Sequence, residues 1–596
     1  MNSKLELLRK AMRASKMDAY YMNSNDYNMS EYVPEYFKSI KYFSGFTGST
    51  ASLIVDLKEA YIFVDGRYHI QADNECLMHD IKVVKLGTEG ALDVIDFIKT
   101  NYAGMCLGFD ARRTSVSFVK KLLDFDIELK PKDIYSDIFQ NRVPLGNDLI
   151  FEMSVNYTGM TRKDKIARVL NILKGKSLIE TNLESIAYIL NLRSNDIENT
   201  PVFISYLVFL HNQVFLFVDV SRLKDETLSK LRGDGVMVRP YDRYYELLFQ
   251  INEQTVLIDE NKLNFESYLA LKNHTNTLLN VPSIIEDMKS VKNDIEIDNC
   301  KRAHVFDGVA MVKFMYWLSK QDKRLLTEYD VAKRLNKFRL DNRAFELSFN
   351  PIVAYNENAA MMHYFASKNS CAQLDNSGIL LIDSGGQYWQ GTTDITRTIA
   401  LGDEVDEEVK HHFTIVLKSM FNLSSAIFLK GATGSQLDVL ARKDIWELGI
   451  NYRCGTGHGV GQVLSVHEFP PNVRNTKTDN GSENIPFKPG NIFSDEPGIY
   501  IEGKYGIRCE NELLCKEKFT NEYGTFLEFE TLTLCPFDLK LIDKKYLDKK
   551  TISLLNSYHS TVYKKLSPYL NDDEKKFLEE ATKKIWLNYW IGMLMV

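Results

Sequence analysis

The sequence predicts a mixed α/β protein, with two similar α/β domains in tandem and a larger third domain. Helical and strand-like patterns alternate through the first third of the 596 residues: a helix at Leu5–Met17, strands at Ala51–Asp56 and Ala60–Val64, and a helix at Ala91–Thr100. After about residue 295, a long amphipathic helix opens a region with most of the glycines. At roughly 150 residues per domain, the length fits three or four domains.

A weak internal repeat supports the tandem arrangement. Phe63-Val64-Asp65 ends an apolar strand pair, and Phe217-Val218-Asp219 ends a similar pair in the following segment. We also align Met17–Tyr20 with Ser185–Tyr188, which stand before the two strand pairs. Repeated order of this kind predicts two copies of one supersecondary design.

Turn-forming and polar stretches predict the domain boundaries. Pro144–Gly146 interrupts the periodicity once, and the polar stretch from Pro282 to Asn293 interrupts it again. We therefore expect domains at residues 1–146, 147–291 and 292–596. In the third domain the amphipathic helix covers about Arg302–Lys320, and Asp548–Lys584 is expected to form two charged helices as a C-terminal extension.

Composition and charge restrict the partners and the compartment. The 73 Lys and Arg against 80 Asp and Glu give a net charge of -7, so no global positive field favours nucleic acid, and we expect no nucleic-acid partner. None of the eight cysteines forms a C-x-x-C pair, which indicates a reduced, intracellular protein. Because neither a signal peptide nor a membrane span is predicted, we expect a cytoplasmic location without membrane attachment.

Two aspartates in the third domain are associated with strand-like runs. The run Ile379–Ile382 leads directly into Asp383, a Gly385-Gly386 turn follows, and a second strand-like run carries Asp394. A carboxylate at the end of a buried strand is costly unless a cation or hydrogen-bond donors compensate it. Two carboxylates on neighbouring hairpin strands can share one cation, although a turn-capping aspartate is the simpler alternative.

Three further residues of the third domain are candidate metal ligands. His458 lies in the glycine-rich segment Cys454–Gly461, where we expect flanking glycines to leave room for a close approach to the imidazole. Glu496 precedes Pro497-Gly498, and Glu510 follows Arg508 on the returning strand. A set of four carboxylates and one imidazole suits Mn(II), Fe(II) or Co(II) better than a thiophilic metal. Four carboxylates need more than one divalent ion for charge balance, which predicts a two-metal site.

In the order and the sequences of these motifs, the chain resembles the metal-dependent pita-bread peptidases. This group includes methionine aminopeptidase, prolidase, creatinase and aminopeptidase P. Within that group the chain most resembles the three-domain cytosolic aminopeptidases P. The resemblance rests on SGFTGS and DGRY in the first domain and Leu192-Arg193 with Thr200–Phe203 in the second. In the third domain it rests on DSGGQYWQGTTDITRT, GTGHGVG, VHE, SDEPGIY and YGIRCEN.

The resemblance implies a fold of two creatinase-N-like α/β domains followed by a pita-bread catalytic domain, two Mn(II) ions and a homodimer. It implies hydrolysis of the first residue from peptides with proline second, by a hydroxide that bridges the two metals. Asp383 is expected to bind one metal, Asp394 and Glu510 both, and His458 and Glu496 the other, with Glu496 also as the general base. His363 and His467 are expected to line the substrate site, together with Arg508 and Cys454.

The alternatives are a prolidase-like Xaa-Pro dipeptidase with the same metals, and a non-catalytic binding protein on the same fold. The additional middle domain favours the aminopeptidase, and the complete ligand set argues against the binding protein. One position departs from the family, because Cys454 stands where these enzymes usually have histidine. We expect an active enzyme with weaker substrate binding or an altered substrate preference. His304 is assigned a structural role, and Trp586, Trp590 and the apolar C-terminus are expected to be covered in a dimer.

Overall fold

The computed structural model describes residues 3–76, 79–252, 255–275, 277–478 and 481–586. The chain divides into two compact units, Met1–Lys289 and Ser290–Val596. Both units combine helices with β-sheets, which confirms the predicted mixed α/β class.

The first unit contains two six-stranded sheets with the same strand arrangement, as far as the described residues show. In spatial order, the first sheet consists of Lys82–Lys85, Ala60–Val64, Ser52–Asp56, Ala19–Asn23, Cys106–Phe109 and Glu128–Pro131. The second consists of Val236–Pro240, Gln213–Val218, Tyr206–Leu210, Ser177–Glu180, Thr255–Ile258 and Thr277–Asn280. Phe151–Glu152 and Leu192–Arg193 form a separate pair.

This common order confirms the internal repeat but corrects one of its alignments. Asp65 and Asp219 follow equivalent strands, Ala60–Val64 and Gln213–Val218, as predicted. The counterpart of the strand Ala19–Asn23 is Ser177–Glu180, whereas Ser185–Tyr188 lies inside the helix Leu183–Leu190. The Asn182 side chain accepts a hydrogen bond from the Ser185 backbone N–H and starts that helix, a local signal that the short apolar match did not include.

Helices flank these strands, and most begin at a residue whose side chain caps the first turn. In chain order they are Ser3–Ala14, Ser39–Ser44, His69–Cys76, Val94–Asn101, Val116–Lys120, Val155–Thr158, Arg162–Leu173, Leu183–Leu190, Asp225–Gly233, Tyr244–Gln250, Phe265–Lys272 and Ile284–Ser290. The glycine-rich segment Phe43–Thr50, which predicts a turn between strands, instead connects a helix to a strand. Gly45 ends that helix with a φ of 79°, which favours glycine.

The two halves of the first unit share buried polar contacts. The Asn28 side-chain amide donates to the carbonyls of Thr181 and Ser205, at 2.8 and 3.0 Å. In the opposite direction, Asn264 donates to the Tyr27 carbonyl at 2.8 Å. The boundary near residue 146 remains a prediction, since these contacts hold both halves in one compact unit.

The second unit contains four sheets among its described residues. The largest has the order Ile427–Leu429, Gly524–Thr531, Asn511–Asn521, Ile492–Asp495, Gly457–Gly459 and Glu468–Val473. A three-stranded sheet has the order Ile352–Tyr355, Ile379–Ser384 and Ile395–Ala400. The smaller sheets are Glu346–Leu347 with Gly386–Tyr388 and Gly391–Thr392, and Gly498–Ile501 with Tyr505–Arg508.

The helices of the second unit are Asp294–Ser319, Glu328–Asp341, Glu407–Ser424, Gly434–Trp446, Lys549–Leu566 and Asp572–Ala581. The first begins eight residues before the predicted start, because Asn293 and Glu296 form a capping box there. The last two confirm the charged C-terminal helices. Across the described residues, no helix has the length and apolar character that a membrane crossing needs.

Candidate active site

Asp383 and Asp394 lie at the ends of two antiparallel neighbours, Ile379–Ser384 and Ile395–Ala400. Asp383 is opposite Thr396, and Asp394 immediately precedes its strand. The predicted hairpin relation is therefore confirmed, with two short strands inserted between its arms. Gly385 is required at this crossing, since a Cβ there would lie 1.8 Å from the Thr393 carbonyl oxygen.

His458 lies in the short strand Gly457–Gly459, between two neighbours of the large sheet. A Cβ on Gly457 would meet the Ser494 carbonyl oxygen at 1.8 Å, and one on Gly459 would meet that of Glu468 at 2.3 Å. The glycines therefore let adjacent backbones approach, which corrects our expectation that they leave room around the imidazole. His458 Nδ1 lies 3.0 Å from the Gly459 carbonyl oxygen, so an Nδ1–H donor leaves Nε2 available as a metal ligand.

Glu496 and Glu510 occupy the breaks between consecutive strands. Glu496 separates Ile492–Asp495 from Gly498–Ile501, and Glu510 separates Tyr505–Arg508 from Asn511–Asn521. The flanking strands pair with each other, with Asp495 opposite Asn511 and Gly498 opposite Arg508. Both carboxylates therefore lie at the point where the two paired strands are interrupted. The sequence predicts Glu510 on the returning strand itself, and the structure corrects this placement.

These side chains converge on one point. Ligand atoms of Asp394, His458 and Glu510 all lie within 4.8 Å of one another. His458 Nε2 is 3.4 Å from Glu496 Oε1 and 3.6 Å from Asp394 Oδ2. One buried oxygen on each of Asp383, Asp394 and Glu510 has no hydrogen-bond partner among the described residues. Oxygens left in this way around an imidazole fit hard divalent cations.

The electrostatics of the cluster also favour a cation. Burial, reinforced by Glu510 and Asp383, holds the pKa of Asp394 well above its usual range. Burial, reinforced by Glu496 and Asp383, has the same effect on the pKa of Glu510. Burial raises the pKa of Glu496 to about 7, although Arg508 opposes the shift. Carboxylates that resist ionisation together become compatible when divalent ions neutralise them.

Arg508 orders one side of the cluster from the interior. Its guanidinium donates to Asp383 Oδ2 at 2.5 Å and to the Tyr500 hydroxyl at 2.7 Å. Its Nε donates to the Thr396 hydroxyl, which in turn donates to Glu510 at 2.7 Å. Only 3 % of Arg508 is exposed, so the structure places it behind the carboxylates and not on an open surface.

The predicted substrate-site residues lie on different elements of the second unit. The His467 ring is 4.3 Å from that of His458, measured between centroids, in an edge-to-face arrangement. His363 follows the short helix Asn356–Ala360, which packs against the strand that ends at Arg508. Cys454 is partly buried, and burial, with Glu496 adding to the effect, raises the pKa of its thiol to about 11. A neutral thiol at this position is therefore favoured at neutral pH.

Glu512, Thr396 and Tyr500 surround the site but were not predicted from the sequence. Glu512 is fully buried, and its Oε1 accepts the Asp394 backbone N–H at 2.6 Å. Its position two residues after Glu510, near the beginning of the strand Asn511–Asn521, was an available signal. Glu512 Oε2 faces His304 Nε2 at 3.3 Å, which connects the supposedly structural histidine to the surroundings of Asp394.

Comparisons with known sequence families match almost the whole chain. The metallopeptidase family M24 matches residues 298–517, and the C-terminal region of peptidase M24 matches residues 525–585. Two creatinase/prolidase N-terminal domains match residues 4–131 and 141–296. These matches support the order of domains that the fold indicates.

Individual proteins show similarity over nearly the full length. A probable Xaa-Pro aminopeptidase P of Laccaria bicolor is 34% identical over 602 residues, covering 96% of this chain and 91% of the relative. One of Neurospora crassa is also 34% identical, with 96% and 87% coverage. The crystal structure of X-prolyl aminopeptidase from Caenorhabditis elegans, described as a cytosolic enzyme with a di-nuclear active site, has a TM-score of 0.90 at 29% identity. That alignment covers 98% of this chain and 100% of the other.

Proposed function

Because the chain belongs to the Xaa-Pro aminopeptidase P family of metallopeptidases, we propose that it removes the first residue from peptides whose second residue is proline. The observation that carries the proposal is the buried meeting of Asp394, His458 and Glu510, whose ligand atoms lie within 4.8 Å. This arrangement suits metal-assisted hydrolysis, and the sequence similarity supplies the proline preference.

We assign two divalent ions to this site, with Mn(II) as the preferred metal. Asp383, Asp394, His458, Glu496 and Glu510 would hold them, and oxygen-rich ligands of this kind suit manganese. The orphaned oxygens of Asp383, Asp394 and Glu510 support the assignment. When bound, the ions supply an activated water molecule and polarise the scissile carbonyl.

The protein residues position the reactants and move the proton. Glu496 takes a proton from the attacking water and passes it towards the leaving proline nitrogen. Arg508 holds Asp383 and, through Thr396, Glu510 in fixed orientations. His467 and His363 steady the substrate carbonyl and the oxyanion that develops on it.

Proline as the second residue changes what the substrate site must recognise. Its peptide nitrogen carries no hydrogen, so a main-chain acceptor cannot bind there and the ring must fit a shaped apolar surface. Cys454, Tyr500 and Ile501 belong to or border one apolar cluster beside Glu496 and support such a surface. We propose His363, His467 and Cys454 as contributors to substrate binding, and Arg508 as a residue that orients ligands.

A peptide comparison tests the proposed activity. The full chain, stripped of metal and reloaded with Mn(II), should release the first residue from an Arg-Pro-Pro-type peptide. The metal-free chain should be inactive because the carboxylates alone do not activate water. Zn(II) in place of Mn(II) should restore less activity. Cleavage confined to an Xaa-Pro dipeptide would instead identify a dipeptidase, and no cleavage of either substrate would favour a binding protein.

Replacing Cys454 with histidine should increase kcat/KM for a tripeptide with proline second. An imidazole donates or accepts stronger hydrogen bonds than a neutral thiol and extends further, so substrate binding should tighten. The effect should appear mainly as a lower KM, measured with Mn(II) present. Cys454→Ser is the matched control, since it replaces the thiol with a group of similar size and adds no imidazole. A loss of activity in Cys454→His would contradict this role and give the thiol a function of its own.

We further propose that the protein is a cytoplasmic homodimer. All eight cysteines are free, which suits a reducing compartment, and the Caenorhabditis elegans relative is described as cytosolic. Trp586 is 67% exposed and supports an interface near the C-terminus, while Trp590 and the rest of the apolar end lie outside the described residues. Sedimentation at micromolar concentration should give twice the chain mass of 68.7 kDa, and a single-chain mass would refute the dimer.

The boundaries 1–146, 147–291 and 292–596 also remain our proposal. The family matches at 4–131, 141–296 and 298–517 support them, as does the division of the chain after Lys289. The second boundary falls two residues from that division.

A further inference from the structure

A second cluster of metal-ligand side chains lies beside the first in the same unit. Cys300 and His304 are four residues apart on the helix Asp294–Ser319, so they share one helix face. Glu512 reaches the same point from the strand Asn511–Asn521. Their ligand atoms lie within 4.8 Å of one another, and each residue is at most 2% exposed.

Two facing atoms of this cluster lack a hydrogen-bond partner in the part of the chain that the structure describes. His304 Nε2 and Glu512 Oε2 are both buried and without a hydrogen-bond partner among the described residues. Their separation of 3.3 Å is longer than the ~2.7–2.9 Å of a charge-assisted hydrogen bond. Two ligands at ~2.0–2.1 Å from a tetrahedral metal ion stand about 3.3 Å apart, so the spacing suits ligation better than a direct bond.

We propose that Cys300, His304 and Glu512 form a structural metal site for a thiophilic divalent ion of the zinc class. Thiolate sulfur, imidazole nitrogen and carboxylate oxygen are the three ligand types that zinc takes in proteins. A thiolate and a carboxylate together balance the two positive charges, so the ion and its ligands are neutral in this apolar interior.

This site differs from the neighbouring five-residue cluster in chemistry and in purpose. The neighbouring cluster has only carboxylates and an imidazole, whereas Cys300 adds sulfur and selects a softer ion. Glu512 connects the two, because one of its oxygens faces His304 and the other accepts the Asp394 backbone N–H. The ion therefore fixes Glu512, and Glu512 fixes the segment that carries Asp394, without contact with substrate.

The first test is metal stoichiometry of the full chain. The protein is produced in zinc-supplemented medium, since the buried ligands must meet the ion as the chain folds, and is then dialysed with Mn(II). We expect the wild type and Cys515→Ser each to retain one zinc equivalent per chain more than Cys300→Ser retains. Cys515 is a matched control because it is a free, fully buried cysteine on the same strand as Glu512.

Production in cobalt-supplemented medium gives a test on the wild-type chain itself. Cobalt bound to Cys300 should show a thiolate-to-cobalt charge-transfer band that Cys454→Ser retains, which separates this site from the thiol beside Glu496. The absence of that band, together with equal zinc content in the wild type and Cys300→Ser, would overturn the proposal and leave a buried ion pair of His304 and Glu512. Neither readout requires peptidase activity, so the result is independent of the proposed function.

Discussion

Glu496→Gln should abolish peptide hydrolysis while leaving the fold intact. The amide is a weaker metal ligand and accepts no proton at neutral pH, so the variant loses the general base together with a metal contact. General acid–base catalysis alone contributes ~10²–10⁴-fold, and we expect kcat to fall by roughly 10³-fold or more. The measurement is the initial rate on an Arg-Pro-Pro-type peptide with saturating Mn(II).

The control for this change is Glu483→Gln. Glu483 is also a buried carboxylate of the second unit, but it binds the Thr478 hydroxyl and the Asn484 amide rather than any member of the metal cluster. Its variant should retain most of the activity. Wild-type turnover in Glu496→Gln would remove Glu496 from the role of base, whereas equal losses in both variants would show only a general sensitivity to removing buried charge.

Asp394→Asn should remove both activity and tightly bound metal. Asp394 has a ligand atom within 4.8 Å of ligand atoms of His458 and Glu510, and an amide provides neither the charge nor the bridging oxygens that two cations need. We expect fewer than two Mn(II) equivalents per chain after dialysis and activity below detection. Two retained equivalents with normal turnover would contradict the assignment of Asp394 as a ligand.

Asp394→Asn should raise the thermal stability of the metal-free protein and lower that of the metal-loaded protein, relative to the wild type. Burial and the carboxylates of Glu510 and Asp383 disfavour the charged form of Asp394, so the neutral amide relieves repulsion in the metal-free protein. Metal-free Asp394→Asn should melt at a higher temperature than the metal-free wild type. With Mn(II) the order should reverse, because only the wild type gains stability from bound ions. A wild type that melts at the higher temperature both with and without metal would contradict the repulsion.

The sequence predicted the fold wherever local patterns were strong. The strand Ala60–Val64 has the predicted bounds, and the C-terminal charged helices are present, because apolar periodicity alone defines such elements. Ser185–Tyr188 was misaligned because so short a segment fits a helix as well as a strand, and only the Asn182 cap separates the two. The repeat itself was predictable because it depends on element order.

The candidate site was predictable as a set of residues but not as a network. Carboxylates in or beside strand-like runs predicted Asp383, Asp394, Glu496 and Glu510, and the structure brings ligand atoms of Asp394 and Glu510 together with His458. The pairing of Arg508 with Asp383 and the contact of Glu512 with the Asp394 backbone depend on which strands become neighbours. The glycines beside His458 were misinterpreted for the same reason, since their purpose is visible only with Ser494 and Glu468 in place.

The five proposed ligands are spread from residue 383 to residue 510, in or beside strands that pair across long stretches of sequence. This spread has a consequence for biogenesis. No short segment contains a complete ligand set, so a nascent or partly folded chain has no high-affinity site to offer. Closure of such distant pairings is the slow part of folding for sheet topologies of this kind. Metal uptake would thus report that the second unit is complete, and a limited metal supply would act on finished molecules rather than on folding intermediates.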